Sequence, residues 1–420
     1  MRRVVVTGLG VVTPLGSNID KSWHRLKQGL SGITFLDRQE FEGLGCRVGG
    51  EVTDFNPSVF LSQKEIQRWD LFVQYAVAAV SMALADAGLD PKKFDETFKP
   101  GVIIGSGRGG IKTITENIKR DLSGSRFSAY LMPATTPFMA AAAAAMKYNL
   151  SGPSLGISTA CASGAHAIGE AFRWIRHGYA EMVVAGGAEA ALCRPALGGY
   201  DAAGALSRRN NAPEKASRPF DAGRDGFVVS EGAGIVLLES YESASARGAM
   251  IQGEIIGYGQ STDAAHETRP NAEGEARAME LALLDAEVRP EEIGFISAHG
   301  TSTLLGDRTE TLAIKKVFSG KTAGKVPVTA NKSVIGHMLG AGGAVEAVFT
   351  LLSLKEGLIP VTINLENSDP ECDLDYVTDG PRSVSLETAM SNSFGFGGCN
   401  AVLIFRSIQA DKAGKADKKC

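Results

Sequence analysis

The sequence predicts an α/β protein made of two copies of one strand-and-helix unit. Three observations carry that reading. First, β-branched runs that end in glycine alternate with long segments of helical apolar spacing, the pattern of buried strands crossed by helices. Second, Met82-Ala83-Leu84-Ala85-Asp86-Ala87 and the Pro91 beyond it resemble Leu281-Ala282-Leu283-Leu284-Asp285-Ala286 and Pro290. Each copy is followed by a short strand, 102–104 or 295–297, and then a glycine-containing turn. Third, one strand precedes Cys161 and another, 326–330, precedes the turn that holds His337. Both turns lead into small-residue-rich helices, 164–177 and 340–355. Two sheets with helices shared between them would bring corresponding turns together about a pseudo-twofold axis. The halves are expected at 1–250 and 251–409, with a lysine- and alanine-rich disordered tail at 410–420.

Taken in order, residues 3–7 form a β-branched run ending at Gly8 and read as the first buried strand. Residues 22–30 read as a short helix stopped by Gly29. Residues 70–87 are apolar at helical spacing and end at Gly88, a C-cap signal. After the strand at 102–104 comes a glycine-rich turn, Gly105-Ser106-Gly107-Arg108-Gly109-Gly110. Ser154-Leu155-Gly156-Ile157 reads as a buried strand, and residues 165–175 as a helix. The turn signals of Asp221-Ala222-Gly223-Arg224-Asp225-Gly226 make 220–230 a loop near the site rather than a core element.

Composition sets bounds on function. A chain of 420 residues with 44% hydrophobic and 21% charged side chains is ordinary globular material for two or three domain-sized units. Fifty glycines indicate many close backbone approaches. A net charge of −4 argues against general nucleic-acid or membrane-surface binding. Six cysteines without metal-ligand or CxxC spacing point to free thiols in a reducing compartment. The N-terminal apolar run is too short for a signal peptide, and the alanine run at 140–145 is too short to span a bilayer, so a cytoplasmic enzyme is expected.

The chemistry centres on Thr159-Ala160-Cys161-Ala162-Ser163-Gly164. This places Cys161 on a tight strand-to-helix turn with only small neighbours, the geometry of a nucleophile elbow. Unpaired N–H groups and the helix dipole there favour thiolate, so a lowered pKa is expected; the alternative is a small buried hydrophobe. Of six histidines, two sit on glycine-flanked turns after strands, in Ala298-His299-Gly300-Thr301 and Gly336-His337-Met338. His24, His166, His177 and His266 have surface or packing roles by default. Two histidines and a cysteine could bind zinc, but metal sites usually show closer ligand pairs, so no metal is expected. Two imidazoles beside a thiolate more naturally hold a substrate carbonyl and a departing carboxylate, or exchange protons. Lys332, set among small apolar residues, needs a counter-charge, which Glu346 on the following helix can supply. Asn392-Ser393-Phe394-Gly395-Phe396-Gly397-Gly398-Cys399-Asn400 is a third glycine-rich turn between two strand-like runs, able to bring backbone N–H groups to a developing oxyanion.

These motifs, in this order, resemble the elongating β-ketoacyl-acyl carrier protein synthases of the dissociated fatty-acid system, KAS II type. The matching segments include Val5-Val6-Thr7-Gly8-Leu9-Gly10, Ala185-Gly186-Gly187-Ala188-Glu189, Arg218-Pro219-Phe220-Asp221, His299 to Thr303, Lys332 to His337 and Asn392 to Asn400, spanning about 3–406. The resemblance implies a thiolase-like fold with a layered αβαβα core, and a homodimer in which the strand before Cys161 pairs across the twofold. It implies that Cys161 accepts the acyl group and that His299 and His337 promote decarboxylation of the malonyl thioester. It further implies an oxyanion hole from the N–H groups of Cys161 and Phe394, with Lys332 and Glu346 as a supporting ion pair. Thr301 and Thr303 would bind the phosphopantetheine arm, Phe394 would gate the site, and Phe396 would line it. The partner is acyl carrier protein, docking at Lys64, Arg68, Arg208 and Arg209, and no cofactor is implied.

Three residues depart from the family pattern. Leu304 stands where proline or a small turn residue is usual, and Cys399 replaces a threonine. Arg108 occupies an acyl-pocket position where an apolar residue is usual. A guanidinium pointing into that tunnel would favour short, polar or polyketide-like chains; facing solvent, it would leave the fatty-acid reading in place. Alternatives are a ketosynthase of a dissociated polyketide or polyene pathway, including a heterodimer with a related subunit, and a non-catalytic chain-length-factor-like partner. The presence of Cys161 with both histidines argues against the last, and a degradative thiolase would want a second catalytic cysteine.

Overall fold

The structure is a computed structural model that describes residues 1–94, 99–319 and 324–408; the tail expected at 410–420 lies outside the described residues. The first half contributes strands β1 (Val4–Val12), β2 (Gly101–Gly105), β3 (Ser154–Ile157), β4 (Met182–Glu189) and β5 (Gly232–Ser240). Its principal helices are α1 (Leu71–Asp86), α2 (Met139–Tyr148) and α3 (Ser163–Arg176). The second half contributes β6 (Gly253–Thr262), β7 (Phe295–Ser297), β8 (Pro327–Thr329), β9 (Asp375–Tyr376), β10 (Thr388–Gly395) and β11 (Cys399–Arg406), with α4 (Ala272–Ala286), α5 (Leu304–Val317) and α6 (Gly342–Glu356).

Strand order exposes the repeat. The first half runs β1-β5-β4-β2-β3 and the second β6-β11-β10-β7-β8, with β9 added at the far edge. Pairing directions also correspond. The first two contacts of each half are antiparallel and the next two parallel. The two sheets expected from the sequence are joined edge to edge into one, through a three-residue antiparallel contact of Val4–Val6 with Gly253–Ile255. Central strands such as β4, all buried, read as apolar or small up to the closing Glu189 because both faces are covered.

Five layers result. Helices α3 and α6 lie between the sheets, each touching strands of both halves, while α1 and α2 cover the outer face of the first sheet and α4 that of the second. Residues 342–354 of α6 are all buried, as expected for a helix apolar all round rather than striped. The central pair pack closely because Gly164 has no side chain: a Cβ there would lie 2.9 Å from both the Ala344 Cβ and the Gly340 carbonyl oxygen. That packing sets the ends of α3 and α6, and therefore the turns preceding them, side by side.

Candidate active site

Cys161 sits in a single 3-10 turn, Ala160–Ala162, between β3 and α3. Ala160 has φ 49°, a left-handed conformation that a small residue tolerates best. Ser163 Oγ locks the turn, accepting the Thr159 N–H at 2.9 Å and donating to the Ala160 carbonyl at 2.6 Å. His166, one turn into α3, adds Nδ1 contacts to Thr159 Oγ1 at 2.9 Å and the Ala162 carbonyl at 3.1 Å. Burial lowers its pKa to about 4.

The cavity over Cys161 measures about 410 Å³, and its lining includes His299, His337, Thr301, Thr303, Phe394 and Phe396. The two imidazoles meet edge to face, with centroids 5.3 Å apart and planes at 88°. His337 is held by its backbone: its N–H donates to the Val228 carbonyl at 2.7 Å, and its carbonyl accepts the Ser230 N–H at 2.9 Å. The loop expected at 220–230 thus carries the histidine. It is itself pinned by buried Arg224, which pairs with Asp369 at 2.8 Å and donates to the Thr303 and Leu304 carbonyls at 3.0 Å each. The His299 N–H and Gly300 N–H both donate to buried Glu310 at 2.8 Å. Among the described residues, Nδ1 of each histidine is buried without a hydrogen-bond partner.

Electrostatics keep this site neutral. Burial, reinforced by the Lys332 charge, drives both histidines well below their ordinary pKa. They are therefore uncharged imidazoles at neutral pH. Lys332 and Glu346, each 1% exposed, form an ion pair at 2.5 Å, and burial raises Glu346 to about 7. The thiol departs from expectation. Burial pushes Cys161 up to about 11, and neither Lys332 nor a backbone N–H outweighs it. A turn that precedes a helix does lower a thiol pKa, but the protein packed around this half-buried thiol costs the anion more.

That backbone N–H belongs to Phe396, not to Phe394 where the resemblance put it. Gly395 allows the approach, since a Cβ on it would stand 2.8 Å from the Thr159 carbonyl oxygen and 3.3 Å from the Cys161 nitrogen. The Phe394 ring is 8% exposed and packed against His299 at 5.9 Å, whereas Phe396 stands 36% exposed on the glycine turn.

Arg108 also departs from expectation. It is exposed and lies outside the cavity lining; its Nε donates to the Tyr200 hydroxyl at 2.8 Å, and its guanidinium sits 5.1 Å from that ring's centre. Placed there, the charge keeps its solvent, which a greasy tunnel would strip. Tyr200 is the residue that lines the cavity.

The remaining positions divide. Thr301 and Thr303 touch through their hydroxyls at 3.0 Å, and Thr303 caps α5 by accepting the Gly306 N–H at 3.1 Å. Leu304 is the first residue of that helix, where proline or leucine serves equally because the N–H there has no helical acceptor. Cys399 opens β11 opposite Gly395. Of the docking residues, Arg208 pairs with Asp201 at 2.9 Å and Arg209 with Asp225 at 3.8 Å beside the cavity, while Lys64 and Arg68 lie on the separate Gln63–Arg68 helix, with Arg68 over the Tyr130 ring at 4.7 Å. Among the described residues no three His, Cys, Asp or Glu side chains converge as metal ligands, and no helix is long and apolar enough to cross a membrane.

Pattern reading missed the two buried carboxylates that tie glycine turns, Glu189 and Glu310. Glu189 accepts the N–H groups of Gly107 at 2.8 Å, Gly340 at 3.1 Å and Arg108 at 3.2 Å, tying the turn after β2 to the entry of α6. A signal existed: a glutamate closing the apolar run Met182–Glu189 has no place in a buried strand unless it is hydrogen-bonded.

A fused pair of identical sheet topologies, with a cysteine elbow from one half facing two histidine turns of the other, defines a thiolase-like acyl-transfer fold. Residues 1–244 match the family described as "Beta-ketoacyl synthase, N-terminal domain" and residues 252–366 "Beta-ketoacyl synthase, C-terminal domain". The chain belongs to the β-ketoacyl synthase family, and it is an acyltransferase. It is similar to the 3-oxoacyl-[acyl-carrier-protein] synthase 2 of Synechocystis sp., 45% identical over 412 residues that cover 97% of this chain and 99% of the relative. Among solved structures it is similar to the ishigamide ketosynthase/chain length factor, with TM-score 0.91 and 37% identity over 97% of this chain and 99% of that one. It is also similar to a type II polyketide acyl-carrier protein–ketosynthase complex bound to a hexaketide, with TM-score 0.87 and 36% identity over 97% and 99% of the two chains.

Proposed function

We propose that Cys161 carries the acyl group in a two-stage condensation that lengthens a carrier-bound chain by two carbons. In the first stage the Cys161 Sγ–carbonyl bond forms, the carrier's thioester C–S bond breaks, and the thiol proton passes to the departing carrier thiol. In the second, malonyl-carrier loses CO2 to give an enolate, whose carbon attacks the Cys161 thioester. The product is a β-ketoacyl-carrier, and the released Cys161 thiolate takes up a proton. The single observation that carries this reading is the meeting of Cys161 with two neutral imidazoles, His299 and His337, in one cavity.

Neutral imidazole suits the second stage, because an N–H can stabilise the enolate oxygen without first losing its proton to the leaving carboxylate. The N–H of Phe396 and that of Cys161 serve as the oxyanion donors in the first, which moves to Phe396 the part the resemblance gave to Phe394, and the gating part moves with it. Lys332 with Glu346 supports the histidines, and Thr301 with Thr303 offers hydroxyls to the pantetheine arm. The substrates arrive activated as thioesters, so no step calls for a metal or an organic cofactor. The partner is an acyl carrier protein, received near Arg208 and Arg209, with Lys64 and Arg68 as a second contact. The chain works as a homodimer through β3, the outermost strand of its half, whose Leu155 is 48% exposed beside exposed Phe138.

Intact-protein mass after mixing with acyl-carriers tests the assignment. Wild type gains the acyl mass and Cys161→Ala does not; acylation of the variant would overturn it. The same spectra under native conditions read the assembly, where a mass of one chain only would remove the dimer. A second reading, a ketosynthase of a dissociated polyketide or polyene pathway, has the same chemistry and is favoured by the likeness to the ishigamide and hexaketide-bound structures. The preferred acyl chain separates the two.

A further inference from the structure

The wall of the cavity that continues from His337 through Phe227 carries a polar group that the condensation does not use. Tyr200 is 9% exposed and lines the cavity with Cys161. Its hydroxyl oxygen already accepts from Arg108 Nε at 2.8 Å, so the phenol's own proton is left free to donate. Burial pushes its ionisation up to about 12, and Cys161 is near enough to add to that rise, so the phenol stays protonated at neutral pH next to the nucleophile. The ring is fixed from two sides: the Arg108 guanidinium lies 5.1 Å from its centre, and Phe227 meets it edge-on at 5.3 Å. Phe227 in turn meets His337 edge-on at 5.4 Å. Phenol, aromatic buttress and histidine thus form one continuous wall.

An acyl group on Cys161 covers that wall. A plain hydrocarbon chain would strip water from the phenol and give no acceptor in return, a penalty that a buried hydroxyl feels in full. A chain with an oxygen on one of its first few carbons would supply the acceptor. Sites built to hydrogen-bond a substrate group reject analogues that lack it far more strongly than apolar pockets reject an extra methylene. Arg108 lies outside the cavity lining, and its hydrogen bond reaches toward the chain through the Tyr200 hydroxyl.

We propose that Tyr200 is a specificity-determining residue that selects acyl chains carrying a hydroxyl or carbonyl oxygen near the thioester, and that Arg108 is the positioning residue that orients its phenol. This rests on the acyl-Cys161 reading and names its substrate class.

The test is a competition. Equal amounts of hexanoyl and 3-hydroxyhexanoyl thioesters of one carrier protein are mixed with full-length enzyme, and the two acyl masses on Cys161 are compared. Wild type is expected to favour the hydroxyacyl chain by about fivefold or more, the scale of one unmatched buried hydrogen bond. Tyr200→Phe keeps the ring and should bring the ratio to near one. Arg108→Leu should bring it part of the way, and Arg108→Lys, which keeps a donor, should restore some of the preference. The ratio is read within one sample and does not depend on how much protein is folded, so a merely structural role would leave it unmoved. A wild-type preference for hexanoyl, or an unchanged ratio in Tyr200→Phe, overturns the proposal. Absence of both acyl masses from wild type instead overturns the acyl-Cys161 reading beneath it.

Discussion

The two halves share a topology and differ in what they place on it. In each, the turn after the second strand is tied by a buried carboxylate. Glu189 holds Gly107 and Arg108 after β2, and Glu310 holds His299 and Gly300 after β7. Yet the first turn sends its arginine to solvent, while the second sends its histidine into the cavity. The turns before the central helices differ in the same way. The first holds a thiol that burial keeps protonated, and the second holds a lysine that forms a buried ion pair with Glu346 of α6. The backbone repeat thus decides where a turn lands and how it is tied, and the side chain mounted there decides the chemistry. A nucleophile that must be acylated does not need a resident charge; histidines that stabilise an enolate benefit from one beside them.

That contrast can be broken in three places. The largest effect is expected at Lys332→Ala, which strands Glu346 without its counter-charge and should lower the unfolding free energy by about 3–5 kcal/mol, read from urea titrations. Burial already favours the protonated Glu346, so the loss should be greater near pH ~8.5, where the carboxyl must ionise, than near pH ~6, where it binds a proton. A loss that does not vary with pH would mean that Glu346 is not the group left behind. Next comes the division of labour. His299→Ala and His337→Ala should each slow malonyl-carrier decarboxylation by roughly 10²–10³-fold, while acyl transfer to Cys161 changes by less than about tenfold. Equal losses in both half-reactions would show that the halves do not divide the chemistry. The smallest effect concerns the thiol. Its reactive form is the thiolate, and with a pKa near 11 that form grows about tenfold per pH unit from neutrality upward. Alkylation of Cys161 by iodoacetamide should follow this slope to about pH 10. A plateau by about pH 8 would mean that the turn and Lys332 hold a resting thiolate after all.

Much of the site was legible beforehand because its residues announce themselves locally. Glycine-flanked histidines after strands, a cysteine among small residues before a helix, and a lysine and glutamate in apolar surroundings each violate an ordinary pattern, and the structure brings all five together around one cavity and its immediate support. The internal repeat was legible from the two Asp-Ala segments before the short strands, though it could not show that the two sheets join through Val4–Val6. Glu310 and Tyr200 gave no such sign: a glutamate and a tyrosine at helical positions look like surface until the neighbours that bury them are known. Phe394 and Phe396 are identical in type and two apart, so only the strand register, which leaves Phe394 on β10 and Phe396 on the turn beyond it, tells which ring packs against His299 and which N–H meets the thiol.

The sequence by itself determined the alternation of strands and helices, the repeat, and the residue types at every glycine turn, because these follow from periodicity and backbone freedom within a few residues. Only the tertiary structure decided that the Cys161 pKa rises instead of falling, that the histidines are neutral, and that Arg108 stands behind Tyr200 instead of in the cavity. Those outcomes depend on solvent exclusion and on charges summed over residues far apart in the chain, and no local pattern records them.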